Sequence, residues 1–224
     1  MSPEWVFLSH LICPDTPAYG GNQAFFDEPD KEMIKGDSCN TRQWKMTNHM
    51  GTHIDAPRHF SIDGKTIDSY RPDFWIFSRP FVLKVDGVEP GQILTDKDMD
   101  IASIPSDTDF LMIKTSFGVF LDTPVYWQRN PGLHPNLAEK FRSIFSDLRV
   151  VGFDFISVSS FANRELGRDA HKAFLDQTHP LLLLEDMDLS MNCDEVHVNL
   201  AIVSPLLVKN ADATPCTVLA EVTR

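Results

Sequence analysis

The sequence predicts a mixed α/β fold, and three observations carry that expectation. Short apolar runs rich in Val, Ile, Leu and Phe recur at 81–85, 110–114, 150–155 and 181–185, the length of buried strands. Two segments, 136–148 and 165–176, instead repeat apolar residues at helical spacing. Strands and helices alternate only loosely, so a mixed sheet is expected rather than a regular doubly wound one. A chain of 224 residues, 42% hydrophobic and 23% charged, suits a single domain over 1–224 with a real core.

Taken in order, residues 4–12 read as a first strand, and Pro14 and Pro17 then force an irregular connection. Residues 15–22 are turn-rich, and Tyr19 there reads as an ordinary loop aromatic. The charged segment 28–37 is expected to be solvated, with a turn at Gly36, before 41–49 resume an extended pattern. Asp63-Gly64 marks a turn, and the proline-broken aromatic run 70–77 suits either a pocket wall for a flat ligand or a lid on the core. Thr95-x-x-Asp98 is read as opening a short helix. The clearest helix follows Pro135, with Asn136 as cap, Glu139 completing a capping box, and Leu137, Phe141, Ile144, Phe145 and Leu148 on one face. In 165–176, Ala170, Phe174 and Leu175 face inward, and 196–208 and 217–222 supply the final strands.

The formal charge is -12, with no long basic run, which argues against nucleic acid and anionic membranes as partners. A metal or another cation fits better. Cys13, Cys39, Cys193 and Cys216 stand alone, without C-x-x-C spacing, so neither a disulfide scaffold nor a thiolate zinc site is expected. No secretory signal is visible, and the apolar run Leu181 to Leu184 is far shorter than the roughly 20 residues that span a membrane. The expected setting is the cytoplasm.

The densest chemistry lies in NHMGTHIDAPRHF, residues 48–60, which places His49, His53, Asp55 and His59 close together. A helical H-E-x-x-H site is excluded, because Met50 stands where the glutamate belongs and Pro57 stops a helix. On a strand the odd positions share one face, yet His49 and His53 would stand roughly 13 Å apart at about 3.3 Å per residue. Both reach one ion only if the backbone bends, and Gly51 permits that bend while Pro57 turns His59 back toward the site. Three protein ligands leave a place for water, whose pKa a bound ion lowers to about 7. His59 suits the accompanying proton transfer by its ordinary pKa of about 6.5.

The stretch resembles the H-x-G-T-H-x-D-x-P-x-H signature of the cyclase-like metal-dependent hydrolase family, which includes bacterial kynurenine formamidase and isatin hydrolase. Every fixed position is present, and weaker likeness runs through LSH at 8–10, DTPAYGG at 15–21, PGL at 131–133, GFDFISVS at 152–159, AHKAFL at 170–175, LLLLED at 181–186 and PCTVLAEV at 215–222. The resemblance implies a swivelling β/β/α fold, a barrel-like or mixed sheet with flanking helices, and a homo-oligomer, dimer or tetramer. It implies two divalent ions per chain, zinc or manganese. His49, His53 and Asp55 match the first ligand set, His171 and Glu185 complete the pair across a bridging Asp55, and His59 matches the general acid/base.

Departures from the family touch specificity. Tyr19-Gly20-Gly21-Asn22 stands where kynurenine formamidases carry Trp-Pro-Gly-Asp, whose tryptophan contacts substrate, so Tyr19 becomes the matching substrate residue. Arg58 replaces a small apolar residue, and Lys114-Thr115-Ser116-Phe117 replaces R-T-G-W. The expected activity is hydrolysis of an amide-type C–N bond in a small, aromatic formamide or cyclic amide. A metal-dependent cyclase or dehydratase, and a non-catalytic metal or ligand binder, are the alternatives.

Overall fold

The computed structural model describes residues 3–191 and 196–223, so Cys193 lies outside the described residues. The chain runs from β1 (Glu4–Phe7) into the hairpin β2 (Phe25–Lys31) and β3 (Thr41–Met46), then β4 (His53–Asp55), β5 (Ile76–Phe77), β6 (Pro80–Lys84) and β7 (Ile93–Leu94). There follow β8 (Phe110–Lys114), α1 (Val125–Gln128), β9 (Gly132–Leu133), α2 (Asn136–Ile144) and β10 (Val150–Phe153). The chain continues through α3 (Arg164–Phe174), β11 (Leu182–Glu185), β12 (His197–Pro205) and β13 (Ala213–Thr223).

The principal sheet has the order β5-β12-β13-β4-β11-β10-β8-β6, with β1 added alongside β13. Its β6, β8, β10 and β11 are parallel, while β4, β13, β12 and β5 continue antiparallel. The two end strands, β5 and β6, are separated by Ser78 and Arg79 alone, so the sheet curls into a nearly closed barrel and β12 also packs against β6. The buried carboxylate of Asp109 fastens that corner by accepting the Ser78 and Arg79 backbone N–H groups at 3.0 and 3.1 Å.

Strand alternation divides the core in two. Phe110, Met112, Val150, Leu182 and Leu184 point into the barrel with Ile54, Val203 and Ala220, whereas Leu111, Ile113, Val151, Phe153 and Leu183 face the layer of α2 and α3. On β4 the odd residues His53 and Asp55 therefore lie on the face opposite Ile54. In register, His53 is opposite Glu185 and Asp55 opposite Leu183. Continuing an apolar strand by one more alternation thus places Glu185 on the helix side, where α3 crosses.

Several local expectations need correction. The first strand ends at Phe7, because Leu8 and Ser9 go on to bond Val218 and pair with Met187. Residues 28–37 are not merely solvated: β2 extends through Lys31 and pairs with β3, and Gly36, at φ +98°, closes the turn between them. No α-helix starts at Thr95: the Asp98 carboxylate does accept from the N–H and hydroxyl of Thr95, but the chain passes through turns into a 3-10 segment at Ile101–Ser103. Pro135, not Asn136, occupies the cap position of α2, and His134 Nδ1 accepts the Asn136 N–H in place of a capping box. On that helix Ile144 is exposed, while Leu137, Phe141, Phe145 and Leu148 are buried as expected. Among the described residues, no helix is long and apolar enough to cross a membrane.

Candidate metal centre

Gly51 sets the bend that the sequence required. It adopts φ +56°, and a Cβ there would stand 3.3 Å from Ile12, so the chain turns sharply between His49 and the start of β4. The rings of His49 and His53 come within 5.3 Å of each other, and those of His49 and His59 within 4.1 Å. Pro57 opens a short 3-10 turn ending at His59, which folds that ring back over the cluster. Helix α3 delivers His171 from the other side. Gly167, one turn earlier, lets the helix approach, since a Cβ there would lie 2.7 Å from the Ser159 Cα.

Backbone carbonyls fix the histidine tautomers. His53 Nδ1 donates to the Gly51 carbonyl at 2.8 Å and His171 Nδ1 to that of Gly167 at 3.0 Å, leaving both Nε2 atoms facing inward. His53 Nε2 stands 3.5 Å from Asp55 Oδ1 and 3.4 Å from Glu185 Oε2. His171 Nε2 stands 3.6 Å from both Asp55 Oδ2 and Glu185 Oε1. Glu185 is held in place by the Val158 N–H at 2.8 Å.

These separations are too long for good hydrogen bonds. They match donors sharing one ion, since ligands bound tetrahedrally at about 2.0–2.2 Å stand roughly 3.3–3.6 Å apart. His53 Nε2 and both Asp55 oxygens are buried without any hydrogen-bond partner. His49 Nδ1 lies 3.1 Å from Asp55 Oδ1, but in an alignment that does not make a hydrogen bond. Leaving such groups unpaired is costly, and a cation would satisfy all of them together. His53, Asp55 and Glu185 form one set able to hold an ion, and His49, Asp55 and His59 form another. Asp55 is common to both. The structure therefore groups His53 with Glu185 rather than with His49, and brings His59 within ligand reach.

Electrostatics follow from this crowding. Burial pulls His53 and His171 down, but the facing carboxylates outweigh it and lift them to about 9 and about 10. Burial works against Asp55 and Glu185 as well. The histidines nonetheless hold Asp55 well below the carboxylate range and Glu185 at about 2. His59 alone among these rings is lowered, chiefly by burial.

Asp212 joins the cluster without any signal in the sequence. Its Oδ2 lies 3.0 Å from His49 Nε2 and 3.1 Å from His59 Nδ1, while Asn48 donates to its Oδ1 at 2.7 Å. It sits in the turn before β13, 153 residues from His59, and a lone aspartate in a turn carries no local signal. Tyr19 does reach the site. It lines a cavity of about 340 Å³ with His53, His59, Phe60 and His171, and packs edge-on to Phe161 at 5.4 Å. Arg58 is exposed outside that cavity, and buried Lys114 donates instead to the Met191 carbonyl. Ser116, where the family's R-T-G-W has glycine, adopts the left-handed φ +60°. A larger cavity of about 830 Å³ lies around Tyr70, Phe74 and Arg142 and contains none of the candidate ligands. The aromatic run 70–77 is thus divided, with Trp75 and Phe77 in the core and Tyr70 and Phe74 lining this separate cavity.

Known proteins resemble this chain in sequence and in fold. Kynurenine formamidase of Bacillus cereus is 26% identical over 213 residues, covering 95% of this chain and 94% of the relative. That of Bacillus anthracis is 26% identical over 214 residues, covering 95% and 94%. Among solved structures, isatin hydrolase A from Labrenzia aggregata, bound to benzyl benzoate, superposes with a TM-score of 0.78 at 20% identity, covering 99% of this chain and 94% of that one. Isatin hydrolase A from Ralstonia solanacearum gives a TM-score of 0.74 at 15% identity, covering 99% and 92%. The Cyclase family model matches residues 6–160, which include the bent ligand stretch and stop short of His171, Glu185 and Asp212. That match spans more than half of the sequence and contains every fixed position of the histidine signature, so the chain belongs to the cyclase family.

Proposed function

We propose that this chain is a metal-dependent hydrolase that opens an amide-type C–N bond in a small aromatic formamide or cyclic amide. His49, His53, Asp55, His171 and Glu185 would hold two divalent ions, and His59 would carry the proton. The observation that supports this most directly is the buried, unpartnered set of Asp55 and His53 atoms at ligand-like spacing. The donors are imidazole and carboxylate without thiolate, which suits zinc or manganese. When bound, such ions ease the deprotonation of water and balance negative charge on a carbonyl oxygen. The names of the relatives, kynurenine formamidase and isatin hydrolase, support the hydrolase class.

His59 is suited to its task by position and by charge. Asp212 engages Nδ1, so Nε2 is the nitrogen left to take a proton from water and return it to the departing nitrogen. Burial keeps the ring neutral at pH 7, the form that accepts a proton. Tyr19 and Phe60 supply an aromatic wall. The same reading takes 1–224 as one domain acting in the cytoplasm. Exposed Trp5, Phe7 and Trp44 support self-association into a dimer or tetramer, which light scattering measures.

The test is a turnover screen over formyl-anilides, N-formylkynurenine, isatin and cyclic imides with zinc or manganese supplied, with products weighed. Hydrolysis adds the mass of water, whereas a product without it points to cyclisation or dehydration. No turnover across the panel by metal-loaded protein would leave a binding protein. His59→Ala is expected to retain its metals and lose turnover by about 10²–10⁴-fold. Full turnover in that variant removes His59 from the chemistry.

A further inference from the structure

Arg164 and Arg168 stand at the mouth of the site, and nothing in the chemistry above uses them. They lie four residues apart on α3, hence on one face of the helix, and His171 continues that face into the cluster. At 1.5 Å per residue, Arg168 is about 4.5 Å and Arg164 about 10 Å along the helix axis from His171. Both line the cavity that holds His53, His59 and Glu185, and both are exposed.

Neither is neutralised by a carboxylate; Arg164 instead hydrogen-bonds the Tyr19 hydroxyl. Arg42, Arg71, Arg79 and Arg149 pair with carboxylates, those of Asp27, Asp73, Asp147 and Asp109, while Arg129 and Arg142 donate to backbone carbonyls. Among the described residues, neither Arg164 nor Arg168 has a carboxylate within ion-pair distance, although the chain carries a net charge of -12 and Glu165 and Asp169 are their sequence neighbours. Like charges at this helical spacing also repel.

The surroundings suit a planar anion attached to a ring. Arg164 lies over the Phe161 ring at 5.5 Å, and its charge acts on the adjacent Tyr19 hydroxyl. Deeper in, Phe60 stacks on His171 at 4.6 Å with an interplanar angle of 19°. The cavity thus grades from ligand carboxylates at its base, through aromatic walls, to a cationic rim.

We propose that Arg164 and Arg168 bind an anionic group, a carboxylate in the first instance, on the substrate of this site. The substrate class, which rests on the hydrolase reading above, becomes an aromatic amide with a carboxylate one to two helix turns from the scissile bond. The forked guanidinium donors match a planar carboxylate.

Benzoate and benzamide, near-isosteres that differ in charge, test the rim without turnover. Titrated calorimetrically into metal-free protein, benzoate is expected to bind about tenfold more tightly, as a charge-assisted contact implies. An Arg164→Gln/Arg168→Gln protein with unchanged melting temperature is expected to lose that preference. Equal binding of the two compounds, or a preference that survives in the double variant, overturns the proposal. In zinc-loaded enzyme the ratio of kcat/KM for 4-formamidobenzoate, whose carboxylate stands about one helix turn from the formamide, over formanilide is expected to fall about tenfold in the variant. If neither compound turns over while the arginine-dependent preference for benzoate holds, the anion site stands and the hydrolase reading fails.

Discussion

When a divalent ion enters the cluster around Asp55, we expect close to two protons to leave with each ion that binds through both His53 and His171. In the metal-free protein these rings titrate at about 9 and about 10, lifted by the carboxylates that face them. At pH 7 both are therefore cationic, balanced by Asp55 and Glu185. An imidazole ligates only when neutral, so both protons must go. From pH 7 that costs about two and three decades respectively, or about 7 kcal/mol together. The apparent affinity should accordingly rise about a hundredfold per pH unit between 7 and 9. The exchange replaces two buried positive charges by one doubly charged ion, which leaves the net charge of the pocket unchanged. Chelator-stripped protein is titrated with zinc by calorimetry in two buffers of equal pH and different ionisation heat, and the difference counts the protons. Release of fewer than one proton per ion, or an affinity flat from pH 6.5 to 8.5, would refute the assignment of His53 and His171 as inward-facing, carboxylate-paired ligands.

The metal-free protein should also lose stability in alkali. Raised histidines contribute fully below their ordinary pKa near 6.5, and the contribution disappears as pH climbs through about 9 and about 10. Melting temperature against pH reads this directly, and saturating zinc should flatten the alkaline limb. Gly51→Ala is expected to cost about 1–2 kcal/mol from its left-handed backbone and to lower metal content, measured by denaturant titration and elemental analysis. Gly167→Ala places a methyl against Ser159, at an expected cost of about 1–3 kcal/mol, with weakened metal retention as His171 is pushed back; a variant as stable as the parent refutes the close approach of α3. Asp212→Asn is expected to keep its fold and lose about 10–100-fold in kcat, and parental turnover would show that the contact with His59 is incidental.

Much of this candidate site was legible because most of its candidate ligands share one short stretch. The parity of 49, 53, 55 and 59, together with the need for a bend at Gly51 and a corner at Pro57, foretold a turn that the backbone does make. The central strands were visible because Phe110–Lys114 and Leu182–Glu185 are buried on both faces, and continuous apolar runs announce that condition. Less visible were features decided by single side chains acting at a distance. Asp98 engages Thr95 as a helix start would, yet only turns follow, and β2 is too acidic to look like a strand until it is paired with β3. Asp212 lay beyond any local pattern, since its meaning depends on β13 entering the sheet beside β4. His171 and Glu185 came from family resemblance, and the register of β4 with β11 supplies the physical reason for Glu185.

That insertion of β13 has a consequence for the order of events during synthesis. The strand follows every other described strand in the sequence, yet it lies inside the sheet, pairing with β4, β12 and β1. Until residues 213–223 have left the ribosome, β4 has an open edge beside His53 and Asp55, and Asp212 cannot stand between His49 and His59. Earlier segments can collapse around the parallel strands, but the metal pocket closes late, by a contact of very long sequence separation. In the nascent chain, the open β4 edge is the surface on which a chaperone, or a misdirected neighbouring chain, would act.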